Sequence, residues 1–318
     1  MATRIKLIER DAPRSAADRR IRVIFNPNAG RSRPVGGPRQ TAADLEAVLT
    51  TAGAIAKVVE THSEDDARAV AAEAVQKGDD AVIAAGGDGT IGLVARELIG
   101  SGTALGVLPL GSVMNVPRML GIPRDVAAAA QIIAAGVTRR IDVGEARGRP
   151  FFESGSVGIN AAVFREVERF RGGQAGSIAR TIWVAFRYRP ARMRVELDNG
   201  IIRTRALTVT VSNGPYTGAA MTVAPDARLD DGKLDVRVFE RFSKPELIRH
   251  FAAIAFGRRE YVPRVSTFRS TFAKISSAHP LPARADSRDL GTTPVEFRVR
   301  PGALSVIVPP DGLPGDEV

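Results

Sequence analysis

The sequence predicts an α/β domain with a mostly parallel sheet, followed by a mostly antiparallel, β-sandwich-like domain, with the working site in the cleft between them. Three observations predict this. From Ile21 to about Ala146, short apolar runs alternate with helical periodicity, the pattern of βαβ units. Beyond Arg147, strand-like runs dominate. Between an apolar run and a helical pattern stands Gly86-Gly87-Asp88-Gly89-Thr90, at the carboxyl end of a strand, where open parallel sheets hold ligands. The 318 residues suffice for two cores. The expected division is a tail over 1–20, an α/β domain over 21–146, a β-rich domain over 147–310 whose last strands are free to return to the first sheet, and a Pro/Gly/acid-rich tail over 311–318.

The elements follow in order. Ile21 to Phe25 is a strand, and Thr41 to Thr51 a helix with Leu45, Val48 and Leu49 on one face. Ile55 to Val59 is a strand and Asp65 to Gln76 an alanine-rich helix. Ala81 to Ala85 is a buried strand. After the glycine-rich turn, Ile91, Val94, Ala95 and Leu98 recur at helical spacing, and Ala104 to Leu108 is the next strand. In the second half, strands are expected at Met193 to Leu197, Ala206 to Ser212, Leu234 to Phe239, Pro294 to Val299 and Ala303 to Val308. Helices are expected near Ile159 to Phe170, Ser177 to Tyr188 and Pro245 to Phe256. The second of these carries Ile178, Ile182, Trp183 and Phe186 among Arg180, Arg187 and Arg189, which suits core packing with a basic edge better than a membrane interface.

Composition removes several function classes. There is no Cys, which excludes disulfides, thiolate catalysis and cysteine metal sites, and the three His (His62, His250, His279) are scattered. The net charge of +10 calls for an anionic partner. Basic residues are dispersed and only three Tyr and one Trp offer stacking surface, so no nucleic acid is expected. No run approaches the roughly 18 apolar residues of a membrane span, and the charged first 20 residues lack the apolar core of a secretory signal. Membrane contact is therefore expected to be peripheral, from the cytoplasm.

The glycine-rich run carries the chemistry. Without Cβ atoms, glycines let backbone N–H groups close on a bulky anion at a helix N-terminus. A bare carboxylate would repel phosphate, so Asp88 fits such a loop if a divalent cation or a hydrogen-bond network lies between it and the anion, and the plainer reading of the run is a tight turn with a solvated Asp.

The motifs resemble the diacylglycerol kinase catalytic-domain family, the bacterial lipid kinases related to sphingosine kinases. The resemblance rests on Asn26-Pro27-Asn28-Ala29-Gly30, Gly86 to Thr90, Pro109-Leu110-Gly111-Ser112 with Leu120-Gly121-Ile122-Pro123, Ser212 to Gly218, Ala224 to Gly232, and Thr293 to Phe297 with Pro301 to Leu304. It implies ATP-dependent transfer of a γ-phosphoryl group to a lipid hydroxyl, such as that of diacylglycerol. ATP would be lined by Asn26, Thr61, Gly86, Gly87, Asp88, Gly89, Thr90, Ile91, Gly92 and Ser112. A structural Mg²⁺ would be held by the Asp231 carboxylate and the carbonyls of Arg228 and Lys233, and linked through water to Asp88. Asp286 would be the general base, acting with Asp88 at the reacting centre. The lipid would be met at an anionic membrane surface, and the reading is compatible with a homodimer. Plainer readings stand beside these: Thr61 or Ser63 as a helix cap, Ser112 as a turn hydroxyl, and Asp230-Asp231-Gly232 as a β-turn.

Two departures from the family pattern stand out. An Asn-Asp pair is expected after Ser112, where this chain has Val113-Met114-Asn115-Val116. Asp-Gly-Glu is expected where the chain has Asp286-Ser287-Arg288, and a guanidinium accepts no proton at neutral pH. The competing readings are a nicotinamide nucleotide or sugar-phosphate kinase with the same loop, and a degenerate lipid kinase that binds nucleotide and lipid without turnover.

Overall fold

The computed structural model describes residues 19–28, 40–162, 189–218, 221–240 and 265–314. In the first half, β1 (Ile21–Phe25), α1 (Ala42–Thr51), β2 (Ala56–Glu60), α2 (Glu64–Gln76), β3 (Ala81–Gly86), α3 (Asp88–Leu98) and β4 (Ala104–Pro109) alternate. The strands pair in parallel in the order β2-β1-β3-β4. β3 and β4 are buried at every position, as a sheet covered on both faces requires. Thr41 and Asp44 cap α1 reciprocally, and Ser63 caps α2. Two short helices, α4 (Asn115–Met119) and α5 (Val126–Ala135), then lead into β5 (Thr138–Ala146).

The second half continues with β6 (Arg149–Phe151), β7 (Ser154–Gly158), β8 (Ala191–Leu197), β9 (Gly200–Ala206), β10 (Thr208–Ser212), β11 (Tyr216–Thr217), β12 (Met221–Thr222) and β13 (Leu234–Phe239). It ends with β14 (Val265–Ser270), β15 (Phe272–Ser277), β16 (Pro282–Ala285), β17 (Arg288–Thr292) and β18 (Val295–Ile307). The sheet β14-β13-β10-β7-β16-β17 is antiparallel at every pairing. A buried cluster containing Val157, Val209 and Val236 from this sheet and Val195, Ile275 and Phe297 from β8, β15 and β18 fills the sandwich. Phe151 and Phe297 meet there edge to face, 6.0 Å apart.

β18 joins the two halves. It pairs antiparallel with β15 and β5, shifts register between Arg300 and Leu304, and runs parallel to β4 with Val306 opposite Leu105. One ten-stranded sheet therefore passes through both halves.

Several expectations are corrected. The two closing strands are one, kinked around Pro301-Gly302, because β5 pairs along both of its ends. The run Ala206 to Ser212 spans the end of β9 and all of β10, broken at Leu207. Within the expected loose C-terminal tail, Leu313 is buried in the first core. Of the helix expected at Ile159 to Phe170, residues 159–162 are helical. The rest, with Ser177 to Tyr188, Pro245 to Phe256 and residues 1–18, lies outside the described residues.

Candidate active site

β3 delivers Gly86 to the start of α3, and Gly87 is the N-cap, with no side chain to satisfy the first-turn N–H groups. A Cβ on Gly86 would fall 2.6 Å from Thr90, and one on Gly111 would fall 2.5 Å from the Gly87 Cα. Glycine is thus required for the turn to close and for the second loop to lie against it. Leu110 N–H donates to the Gly86 carbonyl at 3.0 Å, fixing the two loops together. Gly89 faces open space, so a ligand can approach the helix start. Asn26 donates through Nδ2 to Thr90 Oγ1 at 3.3 Å and accepts the Asn28 N–H at 2.9 Å. These contacts hold the end of β1 beside the glycine loop.

A hydrogen-bond network around Asp88 is present. Its carboxylate accepts the N–H groups of Met114 (2.8 Å) and Val116 (3.0 Å), the start of α4. Met114 there takes a left-handed conformation. Thr61 proves not to be a helix cap, since Ser63 has that role. Thr61 is buried and its hydroxyl donates to the Phe25 carbonyl at 3.3 Å, extending the pairing of β1 and β2. Ile91 is in the core, and Gly92 packs against Phe152. Ser112 is exposed, and its carbonyl accepts Arg124 Nη2 at 3.0 Å.

Asp286 opens the two-residue turn between β16 and β17 in a left-handed conformation. Its carboxylate accepts the main-chain N–H groups of Phe152 (3.0 Å), Glu153 (2.9 Å) and Ser154 (3.3 Å), at the entry to β7. Burial raises its proton affinity against these bonds. Beside it stands Glu153, which the sequence reading missed. Glu153 Oε2 accepts Asn115 Nδ2 at 2.9 Å and the Gly218 N–H at 3.2 Å. Burial first, then the neighbouring Asp286 and Asp88, push its pKa up to about 8. Asn115 also donates to the Gly218 carbonyl at 2.8 Å, while its own Oδ1 is buried without a partner. The acid missing at position 288 is thus matched by an acid from the β6–β7 turn.

The charges of Asp286 and Arg288 both bear on Arg96. Arg96, in the last turn of α3, folds back so that Nη2 comes within 3.8 Å of the position of a Cβ on Gly92. Burial and then the nearby Arg288 lower its proton affinity, and Asp286 opposes them.

The loop from Arg228 to Lys233 is a turn held from below. Asp231 Oδ1 accepts the Lys233 N–H at 3.0 Å, and Arg228 Nε pairs with Asp230 at 3.3 Å. Asp142, on β5, accepts the Gly232 N–H at 2.6 Å and the Gly302 N–H at 2.7 Å, and its N–H donates to the Leu229 carbonyl at 2.6 Å. Burial raises its pKa, and Asp231 and Asp230 add to the shift. The segment is a bend pinned by Asp142, and among the described residues no cluster of three or more acids or histidines gathers there to hold a metal ion. Asp142 could have been suspected as a lone acid within Ile141 to Gly144.

Residues 20–146 match the family described as the diacylglycerol kinase catalytic domain, and residues 154–308 match the YegS C-terminal NAD kinase beta sandwich-like domain. A diacylglycerol kinase catalytic domain thus spans residues 20–146, and the sandwich-like domain follows it. The chain is 29% identical over 246 residues to a Klebsiella pneumoniae (strain 342) protein named probable lipid kinase YegS-like, covering 75% of this chain and 81% of that one. It is 27% identical to the diacylglycerol kinase of Bacillus subtilis (strain 168) over 88% of this chain and 93% of that one. The fold matches the crystal structure of a diacylglycerol kinase from Bacillus anthracis str. Sterne, with a TM-score of 0.71 and 20% identity over 92% of this chain and 98% of that one. Glu153, in the gap between the two matched regions, feels the charge of both Asp286 and Asp88 of the glycine loop.

Proposed function

We propose that the protein is an ATP-dependent lipid kinase that transfers the γ-phosphoryl group of ATP to a lipid hydroxyl, diacylglycerol-like in chemistry. One observation supports the reading: three hydrogen bonds, joined through the chain at residues 115–116 and 153, link the phosphate-binding loop to the candidate base. They run from Asp88 to the Val116 N–H, across the Asn115 side chain to Glu153, and through the Glu153 N–H to Asp286. An anion at the start of α3 and a hydroxyl at Asp286 are thereby held in fixed relation, and positioning supplies most of the rate in phosphoryl transfer.

The residues would divide the work as follows. Asn26, Gly86 to Thr90 and the edge formed by Gly111-Ser112 receive the triphosphate. Asp286 takes the proton of the acceptor hydroxyl as its oxygen bonds to phosphorus and ADP leaves with the electrons of the broken P–O bond. Burial raises the proton affinity of Asp286, which suits a general base, and Glu153 stands beside it protonated up to about pH 8. Mg²⁺, held by Asp231 with the carbonyls of Arg228 and Lys233, would neutralise charge and lock the Arg228 to Lys233 turn in place. The loop sequence alone also fits nicotinamide nucleotide kinases, but the Asp286–Glu153 pair supports an alcohol acceptor on the second half of the chain. The excess of basic residues supports docking at an anionic membrane surface.

Transfer from γ-labelled ATP to a lipid panel, with NAD as control acceptor, tests the proposal. Label should enter lipid only, and Asp286→Asn should abolish it. Label in NAD, or none in any acceptor while nucleotide binding persists, would overturn it.

A further inference from the structure

The far edge of the ten-stranded sheet carries its charge unevenly. β8 and β9 turn Met193, Val195, Leu197 and Ile202 into the sandwich, so the alternate residues face outward. In register, those outward residues are Arg192 opposite Arg205, Arg194 opposite Arg203, and Glu196 opposite Ile201. Arg194 pairs with Glu196 at 3.2 Å. Arg192, Arg203 and Arg205 are exposed, and their side chains have no hydrogen-bond or ion-pair partner among the described residues. Further in, Glu296 of β18 pairs with Arg298, and Lys274 of β15 stands opposite both Glu296 and Glu196. The acids of this face are thus already matched, and the surplus cations gather on the outermost hairpin.

Like charges directly opposite in an antiparallel pair have Cβ atoms about 5 Å apart and destabilise it. β9 is the edge strand, and charge on an edge deters pairing with another chain. That role needs no arginine on β8, the inner strand, so the two opposed cation pairs call for an anionic surface outside the molecule. Ile201 indicates which kind. It is 48% exposed, and Ile55 is the only other large apolar side chain so exposed among the described residues. An apolar side chain beside unpaired cations suits acyl chains beneath charged headgroups. Neither strand holds an aromatic residue on which a nucleic-acid base could stack.

The hairpin also lies at the same end of the sandwich as Asp286. In the β8–β9 turn, the Asp198 N–H donates to Ser270 Oγ at 2.9 Å. Ser270 stands opposite Leu234, the next residue Asp235 opposite Ser212, and Ser212 opposite Ser154, whose N–H donates to the Asp286 carboxylate. Ser270 and Ser154 are three strand spacings apart, roughly 15 Å.

We infer that the outer face of the β8–β9 hairpin is the surface on which the protein lies against an anionic lipid bilayer, with Arg192, Arg203 and Arg205 on headgroup phosphates and Ile201 among the acyl chains. The inference rests on the lipid kinase reading above, in which the acceptor is held in a membrane.

Sedimentation with vesicles of phosphatidylcholine and phosphatidylglycerol in equal parts tests it. A cation beside such a surface contributes roughly fivefold in partitioning, so Arg192→Gln, Arg203→Gln and Arg205→Gln together should weaken binding about 100-fold. Lys57→Gln, Arg68→Gln and Arg139→Gln together remove the same charge from the first half and should weaken it far less. Ile201→Ser should weaken it several-fold at unchanged charge. The hairpin variant should melt no lower than the native protein, because opposed cations are gone. Equal losses in the two triple variants would reduce docking to net charge and overturn the assignment, as would a native protein that ignores these vesicles. A native dimer in sedimentation velocity that the hairpin variant splits would give the face to a second copy and overturn it. Arginine-dependent binding to an oligonucleotide, tighter than to vesicles, would do the same in favour of nucleic acid. Label transfer to a monomeric short-chain diacylglycerol examines the kinase reading separately: no label there fails that reading, while arginine-dependent vesicle binding would still uphold the docking face.

Discussion

Replacing Glu153 with Gln isolates the acid that the chain places beside Asp286. The amide keeps the shape and one oxygen to accept from Asn115 and Gly218, now donors at 2.9 and 3.2 Å, but it cannot ionise. In the folded protein Glu153 holds its proton up to about pH 8, against an ordinary value of 4.5. The folded state therefore binds more protons than the unfolded chain through that window. The stability that Glu153 contributes is full below about 4.5, falls as pH rises, and is gone above about 8. At about 1.4 kcal/mol per pH unit, tapering near the folded pKa, the native protein should lose roughly 2 kcal/mol between about pH 6 and 8 that the variant keeps. For 318 residues the unfolding entropy is roughly 0.7 kcal/mol per degree, so the melting points should diverge by about 3 °C across that interval. Thermal unfolding at closely spaced pH values reads this directly. Turnover gives a second readout: the native acid and the amide are both neutral below about pH 8, so the acidic limb of kcat/KM should stay in place and the two profiles should part only above about pH 8. A melting-point difference that stays flat from pH 6 to 8, together with superimposable rate profiles, would refute the placement of a protonated Glu153 at the site.

Three further outcomes are expected. Asp88→Asn turns an NH₂ group toward the Met114 or Val116 N–H, costing about 1–3 kcal/mol of stability by denaturant titration and at least about 100-fold in turnover, and near-native turnover would dissociate the α4 junction from catalysis. Asp231→Ala should shrink the rise in melting point produced by added Mg²⁺, and an unchanged rise would leave the Arg228 to Lys233 segment as a plain turn. The protein should sediment with anionic vesicles more than with neutral ones and be released by salt on the order of 0.5 M, and equal binding to both would remove the electrostatic docking surface.

The fold was legible where burial is continuous. β1, β3, β4 and β13 lie within a residue of their expected bounds, because nearly every side chain in them is apolar and covered. Local signals also marked α5, with Asp125 capping its start and left-handed Gly136 ending it, but the periodicity of an alanine-rich segment is too weak to announce itself. The glycine loop was readable because its chemistry is contained in five consecutive residues. The acid site was only half readable. Asp286 was found through resemblance, but Glu153 lies 133 residues away, and a lone acid after two phenylalanines carries no periodic mark. Asn115 looked like a displaced remnant until its side chain was seen to bridge Glu153 and Gly218. Such pairings are set by the topology of β7, β16 and the α4 junction, which no local pattern encodes.

The long closing strand has a consequence for how the molecule comes into being. β4 emerges early in synthesis, yet its outer neighbour is β18, whose Val306 pairs with Leu105. At ribosomal speed the edge of the first sheet waits roughly 10–40 s for the residue that covers it. During that interval an apolar strand edge stands bare, open to pairing with the same edge of another nascent chain. Completion of the N-terminal sheet is therefore an event late in translation, and a chain cut short before Val295 would leave its first half with an unfinished border.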